Sequence, residues 1–143
     1  MNYMDSSALV KRFVAEKGSE RLNALIRSGE PVATAKIAYA EIYAALTRRR
    51  REGDVSDRDY AHACRQFEGD WRSYVRVDLR DGILVLARDL IRRHPLRGYD
   101  SVHLASAITL ARELEEEVTF LAADARLLHA ARVEKLQAVN PES

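Results

Sequence analysis

Three aspartates and one glutamate carry the chemistry this chain could do. Asp5 closes the first apolar run, Asp100 follows the helix breaker HPLRG, and Asp124 follows VTFLA, the most β-like segment. Glu41 falls in helical register with Ala38, Ile42 and Ala45, so a carboxylate occupies an otherwise apolar, core-facing stripe. Burying an unpaired charge is costly, so either an arginine or a metal ion should pair with it. Converging carboxylates also repel one another, which raises their pKa values unless a cation neutralises them. An all-oxygen ligand set suits hard Mg²⁺ or Mn²⁺. Such ions keep several waters, and a bound water can be activated to attack a phosphodiester. Taken singly, Asp100 and Asp124 need only be helix caps. Four acids at one rim make capping the weaker account.

The rim follows from the elements that carry the acids. Short β-like runs alternate with longer helical ones, the pattern of an α/β domain with a parallel sheet. The spacing predicts a strand over Asn2 to Asp5 leading into a helix that Ser6 or Ser7 can cap and that continues through Val14. A helix over Gly18 to Arg27, a strand over Pro31 to Thr34 and a long helix over Lys36 to Arg51 follow. Tyr60, Ala63, Cys64, Phe67, Trp71 and Tyr74 repeat at the spacing of one buried helical stripe, and Tyr74 to Leu79 alternates as a strand. Helices over Asp81 to Arg93 and Asp100 to Leu114 lead to a strand over Val118 to Ala122. A short helix from Asp124 to Arg132 and a last strand near Leu136 to Val139 complete about five strands with helices on both faces. In a parallel sheet the C-terminal strand ends share one edge, where ligands usually bind. A helix that feeds a strand starts at that same edge. Asp5, Asp100, Asp124 and the early part of the Glu41 helix should therefore crowd together.

At 143 residues the chain has the size of a single domain, residues 1–143. With 47% hydrophobic and 31% charged residues, it is neither disordered nor a low-complexity linker. No apolar run approaches the roughly 18 residues of a membrane helix, and MNYMDSSALVKRF is no basic-then-apolar leader. A cytoplasmic protein without a membrane partner is expected. The lone cysteine, Cys64, makes neither an internal disulfide nor a cysteine zinc site. A net charge of +1 excludes a strongly basic DNA-coating protein. The cations divide into 19 arginines and 4 lysines, and the planar arginine fork suits RNA phosphates as well as carboxylates. A GC-rich genome would produce the same bias.

Four stretches, YMDSSALVKRFVAE, AEIYAAL, RGYDSVHLASA and VTFLAADARLLHAA, resemble in order and spacing the PIN-domain ribonucleases. Within them the likeness is to the VapC toxins of prokaryotic VapBC toxin–antitoxin systems, and it runs from about Tyr3 to Ala131. The resemblance implies a PIN-like three-layer α/β/α domain around a central parallel sheet of about five strands. It implies that Asp5, Glu41, Asp100 and Asp124 are catalytic acids that hold Mg²⁺, with Mn²⁺ as a substitute, and that Ser7 is the hydroxyl that helps order the site. The implied activity is a metal-dependent endoribonuclease, in which a metal-activated water leaves a 5′-phosphate and a 3′-hydroxyl. The implied partners are the RNA substrate, a VapB-like antitoxin whose C-terminal segment covers the groove, and a second copy in a homodimer. One position departs from the pattern. The place two residues before the last acid, often Ser or Thr, is Ala122, which bears on how Asp124 is oriented.

Other residues invite lesser roles. Lys11 and Arg12, just past the first acid, are placed to meet substrate or an antitoxin carboxylate. His103 lies one turn after Asp100 and could be drawn as a general base, but a metal-activated water requires none and helix packing suits it better. Arg48 to Arg51 end a helix, where cations offset the macrodipole, and His62, His94 and His129 lack zinc-ligand spacing. A signalling receiver domain would want an acidic neighbour beside Asp5 and a lysine after the last strand. A haloacid-dehalogenase-like phosphatase would want an aspartate where Ser7 stands. A PIN-like module that binds RNA or a protein without cutting is the other reading, and it rests on Ala122.

Overall fold

Successive residues of the two central strands enter two different cores, as the period of two in a strand dictates. In the computed structural model, which describes residues 1–143, the chain runs β1 (Asn2–Met4), α1 (Ser6–Leu9), a 3-10 turn (Val10–Arg12), α2 (Ser19–Arg27), β2 (Val32–Ala35), α3 (Ala38–Arg51) and α4 (Asp57–Trp71). It continues through β3 (Val75–Val77), α5 (Asp81–Arg93), α6 (Gly98–Leu114), β4 (Thr119–Leu121), α7 (Ala125–Val133) and β5 (Gln137–Val139). Tyr3 of β1 and Phe120 of β4 stack with ring centroids 5.5 Å apart. They face a core completed by Ile83 and Leu90 of α5, Leu104 of α6 and Leu127 of α7. Their neighbours Met4 and Leu121 enter the opposite core with Leu9, Leu22, Ile42 and Phe67, drawn from α1 to α4. The result is the expected three-layer α/β/α arrangement.

All five strands are parallel, in the order β3-β2-β1-β4-β5. The chain works outward from β1 to β2 and β3, then crosses back through α5 and α6 to β4 and on to β5. Its direction of winding therefore reverses between β1 and β4. In open α/β sheets the crevice beyond the strand ends at such a switch point is where ligands bind.

The differences from expectation are local. The first helix tightens after Leu9 into a 3-10 turn rather than continuing as α-helix to Val14, and the Phe13 amide bonds the Val10 carbonyl at 3.0 Å. Its cap is Asp5, not Ser6 or Ser7. Helix α6 starts two residues early, at Gly98 with Arg97 at the cap position, so Asp100 sits in its first turn. Tyr74 lies past the end of α4, where the Ser73 hydroxyl bonds the Asp70 carbonyl at 2.7 Å, and joins the core from the connecting loop. No helix is long and apolar enough to cross a membrane.

Candidate functional site

Asp5 stands at the switch point itself. Its amide donates to the Leu121 carbonyl at 3.1 Å, which extends the β1–β4 ladder by one step. Its Oδ1 then caps α1, accepting from the Ala8 amide at 3.0 Å and the Ser7 hydroxyl at 2.7 Å. The same Ser7 oxygen accepts the Ala123 amide at 3.0 Å. One hydroxyl thus ties the first acid to the loop that presents the last. Asp5 is only 3% exposed. Burial pushes its pKa up, His103, Ser7 and the Ala8 amide draw it partly back, and the nearby Asp100 charge adds to the rise.

Glu41, in the first turn of α3, leans on a buried chain of polar groups. Its Oε1 accepts from the Ser6 hydroxyl at 2.6 Å and from His103 Nε2 at 2.7 Å. His103 Nδ1 meets the Tyr3 hydroxyl at 2.8 Å, and the ring is 1% exposed. A carboxylate only accepts, so the Nε2 proton is committed to Glu41 and Tyr3 occupies the other nitrogen. Burial raises the Glu41 pKa, but the bond and charge of His103 and the bond from Ser6 outweigh it, and the group is held below the usual carboxylate range. The partner expected for this carboxylate was an arginine or a metal. The protein supplies a histidine and a serine. His103 is indeed buried against the core, yet its two nitrogens are fully used and it is sealed from any reacting water.

Asp100 connects the remaining members. Its Oδ2 accepts from Arg97 Nε at 3.2 Å, and the other end of the same guanidinium lies 3.8 Å from Asp124 Oδ2. Asp124 caps α7, its Oδ1 accepting the Leu127 amide at 3.0 Å. The four acids therefore share one rim, with burial falling from Asp5 outward to Asp124. Ala122 is wholly buried among apolar side chains. The only buried side-chain polar atom without a partner is the Tyr74 hydroxyl, in the opposite core.

Lys11 and Arg12 are not delivered to this rim. Lys11 is 4% exposed and its ammonium is engaged by Glu16 at 2.9 Å and Glu142 at 2.7 Å. Arg12 bonds Asp70 and Asn23, each at 3.1 Å. Both side chains follow α1 away from Asp5 into contacts with α2, α4 and the C-terminal residues. Tyr3, Ser6 and Arg97 were not singled out from the sequence as members of the site. The signal for Tyr3 was available: a tyrosine in a fully buried strand needs a partner for its hydroxyl.

The donor set fits a hard divalent cation. Each acid commits one oxygen to the protein, which fixes its orientation, while Asp5 Oδ2, Glu41 Oε2 and Asp100 Oδ1 accept no hydrogen bond. Nowhere do three His, Cys, Asp or Glu side chains form a ready-made metal cage. That suits Mg²⁺, which is ordinarily held by one or two carboxylates and completed by water and substrate oxygens.

Comparison with known proteins agrees with this architecture. The PIN domain family pattern matches residues 3–133, and the chain belongs to that family. Within it, the chain is 37% identical to Ribonuclease VapC49 of Mycobacterium tuberculosis over 108 residues, 76% of this chain and 75% of the relative. Two solved structures share the fold at 13% identity. A toxin–antitoxin complex from Klebsiella pneumoniae superposes with a TM-score of 0.65 over 99% of this chain and 98% of the other. VapBC2 from Rickettsia felis, bound to a DNA fragment from its promoter, gives 0.66 over 98% of each.

Proposed function

We propose that this chain is a VapC-type toxin, a single-domain endoribonuclease that depends on Mg²⁺ or Mn²⁺ held by Asp5, Glu41, Asp100 and Asp124. It works in the cytoplasm as a homodimer and is neutralised by a VapB-like antitoxin. The observation that carries this reading is the rim itself: four acids at the switch point, three with an oxygen unused by the protein, set against one exposed arginine and one buried histidine. The names of the relative and of the Rickettsia complex support the activity and the partner.

A bound divalent cation supplies charge for the scissile phosphate and a water of lowered pKa. The protein's part is positioning. Ser7 and the start of α1 hold Asp5, His103 and Ser6 hold Glu41, and the α7 cap holds Asp124. Water adds to phosphorus and the P–O3′ bond breaks, so one product carries a 3′-hydroxyl and the other a 5′-phosphate.

The deciding experiment is incubation of a mixed RNA pool with the purified chain, free of antitoxin, in Mg²⁺, in Mn²⁺ and in EDTA. Cutting should need metal and should fall more than about a hundredfold in Asp100→Asn. A folded chain that cuts under neither metal would instead be a module that binds without cutting.

A further inference from the structure

Three of the four acids at the rim are fixed from within, and Asp100 is not. Asp5 is held by a hydroxyl and a backbone amide, Glu41 by a hydroxyl and a buried imidazole, and Asp124 by the Leu127 amide. The one partner of Asp100 is Arg97, whose side chain is 82% exposed. An ion pair that open to solvent fixes little. The place of Asp100 therefore depends on the backbone that carries it, the connection from His94 to Arg97 and the first turn of α6.

That connection is held from outside by one carboxylate. Glu134 Oε2 meets His94 Nε2 at 2.8 Å and Arg93 Nε at 3.3 Å, and its Oε1 accepts from Arg93 Nη2 at 2.9 Å. A carboxylate only accepts, so His94 Nε2 carries the proton whether or not the ring is charged. Burial raises the Glu134 pKa, but the bonds and charges of His94 and Arg93 outweigh it and hold the group below the usual carboxylate range. Within the connection, Pro95 has no amide to give, and the Leu96 amide bonds the His94 carbonyl at 2.9 Å in a three-residue turn. Its other polar tie to a neighbouring element is the long Arg97–Asp124 contact of 3.8 Å.

Glu134 is well placed to act at a distance. It follows α7 directly, its amide on the Ala130 carbonyl at 2.9 Å, and α7 is anchored by the buried Leu127, Leu128, Ala130 and Ala131. The other end of that helix, about 14 Å away, is capped by Asp124. Pro95, Leu96 and Arg97 line a cavity of about 400 Å³ together with Asp100 and Asp124. The connection thus runs beside α7, tied to Glu134 at one end and facing Asp124 at the other. For stability alone the cluster gains little, since Arg93 is half exposed and the enclosed His94 and Glu134 are desolvated. We propose that Glu134, through His94 and Arg93, is a positioning residue for the reaction, a strut at the far end of α7 that sets Asp100 against Asp124. This rests on the ribonuclease reading above and extends its machinery to a residue outside the rim.

The test compares the full chain with Glu134→Ala, Glu134→Gln and Lys11→Met by Mn²⁺ affinity in electron paramagnetic resonance, by RNA cleavage, and by amide exchange without metal. Glu134→Ala removes all three bonds. It should weaken Mn²⁺ about tenfold, the low end for groups that orient a metal ligand from behind. It should lower kcat on RNA about tenfold with KM within about twofold, and should quicken exchange of the Leu96 and Ser101 amides. Glu134→Gln can keep one oxygen on His94 Nε2 and Arg93 Nε, and should stay within about threefold of the wild type in Mn²⁺ affinity. Lys11→Met lowers stability through Glu16 and Glu142 and should leave Mn²⁺ affinity and these two amides unchanged. Unaltered Mn²⁺ affinity in Glu134→Ala would overturn the strut even where cleavage is robust. So would equal losses in Glu134→Ala and Glu134→Gln, or a loss in Lys11→Met as large as in Glu134→Ala. A wild type that cuts no RNA, yet loses Mn²⁺ affinity with Glu134→Ala and keeps it with Glu134→Gln, would retain the strut and sink the ribonuclease reading instead. A wild type that binds no Mn²⁺ overturns the strut outright.

Discussion

Two clusters of charge flank the first helix, and they are built on opposite plans. On one side Lys11 and Arg49 meet Glu16 and Glu142, two cations against two carboxylates, with Lys11 almost wholly enclosed. Burial pulls the Lys11 ammonium pKa down, and Glu142 and Glu16 together more than reverse it, so the net direction is upward. Nearby, Arg21 donates to the Asn140 and Ser143 carbonyls, and Gly18 (φ +91°) leaves room for Pro141, whose backbone lies 3.0 Å from where a Cβ would stand. On the other side, Asp5, Glu41, Asp100 and Asp124 meet one exposed arginine and the buried His103 that donates to Glu41. The first cluster is charge-neutral and closed, and what it does is hold the end of the chain to the fold. The second gathers four carboxylates, buries Asp5 so that its pKa is pushed up, and leaves oxygens unused, an arrangement a protein retains where a ligand will bring the balance.

The comparison is broken most forcefully at Lys11. Lys11→Met keeps the volume and removes the charge, leaving Glu142 without its partner. Because Glu16 and Glu142 are 20% and 31% exposed, the loss should fall below that of a fully buried pair, at about 2 kcal/mol. In a chain this size that lowers Tm by about 8 °C, with RNA cleavage per folded molecule unchanged. The native stabilisation should be fully present below the ordinary lysine value and be lost as pH climbs from there through the raised folded value. Unchanged melting with weakened cleavage would instead put Lys11 on the RNA, where the sequence had pointed.

What the sequence reveals of these two clusters differs for a physical reason. Periodicity is local, so the strands, the helices and the rim they share are legible, and Asp5, Asp100 and Asp124 can be located from chain direction alone. Partners are not local. Lys11 is secured by Glu142 and Glu41 by His103, 131 and 62 residues away, and nothing in the spacing of one announces the other. His103 is the intermediate case. Its place three residues after Asp100 sets it on the rim side of α6, one turn deeper, but only Tyr3 on the neighbouring strand shows that it faces inward. The start of α6 escaped for a smaller reason: Gly98 reads as a breaker, whereas at the first helical position it is tolerated and Arg97 takes the cap place.

The unbalanced cluster can be disturbed without touching an acid. Tyr3→Phe preserves the stacking on Phe120 and removes the hydroxyl that occupies His103 Nδ1. The ring would then be free to offer its proton elsewhere, and Glu41 would lose its fixed donor. Groups that orient a metal ligand from behind are commonly worth ten- to a hundredfold in affinity. Mn²⁺ binding followed by electron paramagnetic resonance should weaken about tenfold. A circular-dichroism spectrum like that of the wild type would show that the fold is kept. The same Mn²⁺ affinity in both proteins would reduce the Tyr3–His103 pair to core packing.

The smallest effect has the most telling sign. In Asp5→Asn the side-chain amide oxygen would still accept from Ser7 and the Ala8 amide, so the substitution removes the charge and turns only the unused oxygen into an amide donor. The folded pKa of Asp5 is raised by burial first and by Asp100 among the rest, so folding favours its protonated form. The penalty for holding it ionised is absent below the unfolded value of about 4 and grows as pH rises through the raised folded value. In EDTA at pH 7 the variant should therefore be the more stable protein, by about 1 kcal/mol or about 4 °C in Tm, and the gain should vanish on acidification. Lys11→Met and Asp5→Asn would then move Tm in opposite directions, one cluster holding the fold together and the other straining it. Equal destabilisation by both would mean that the rim is a structural ion network like its neighbour, with no charge held in reserve for a ligand.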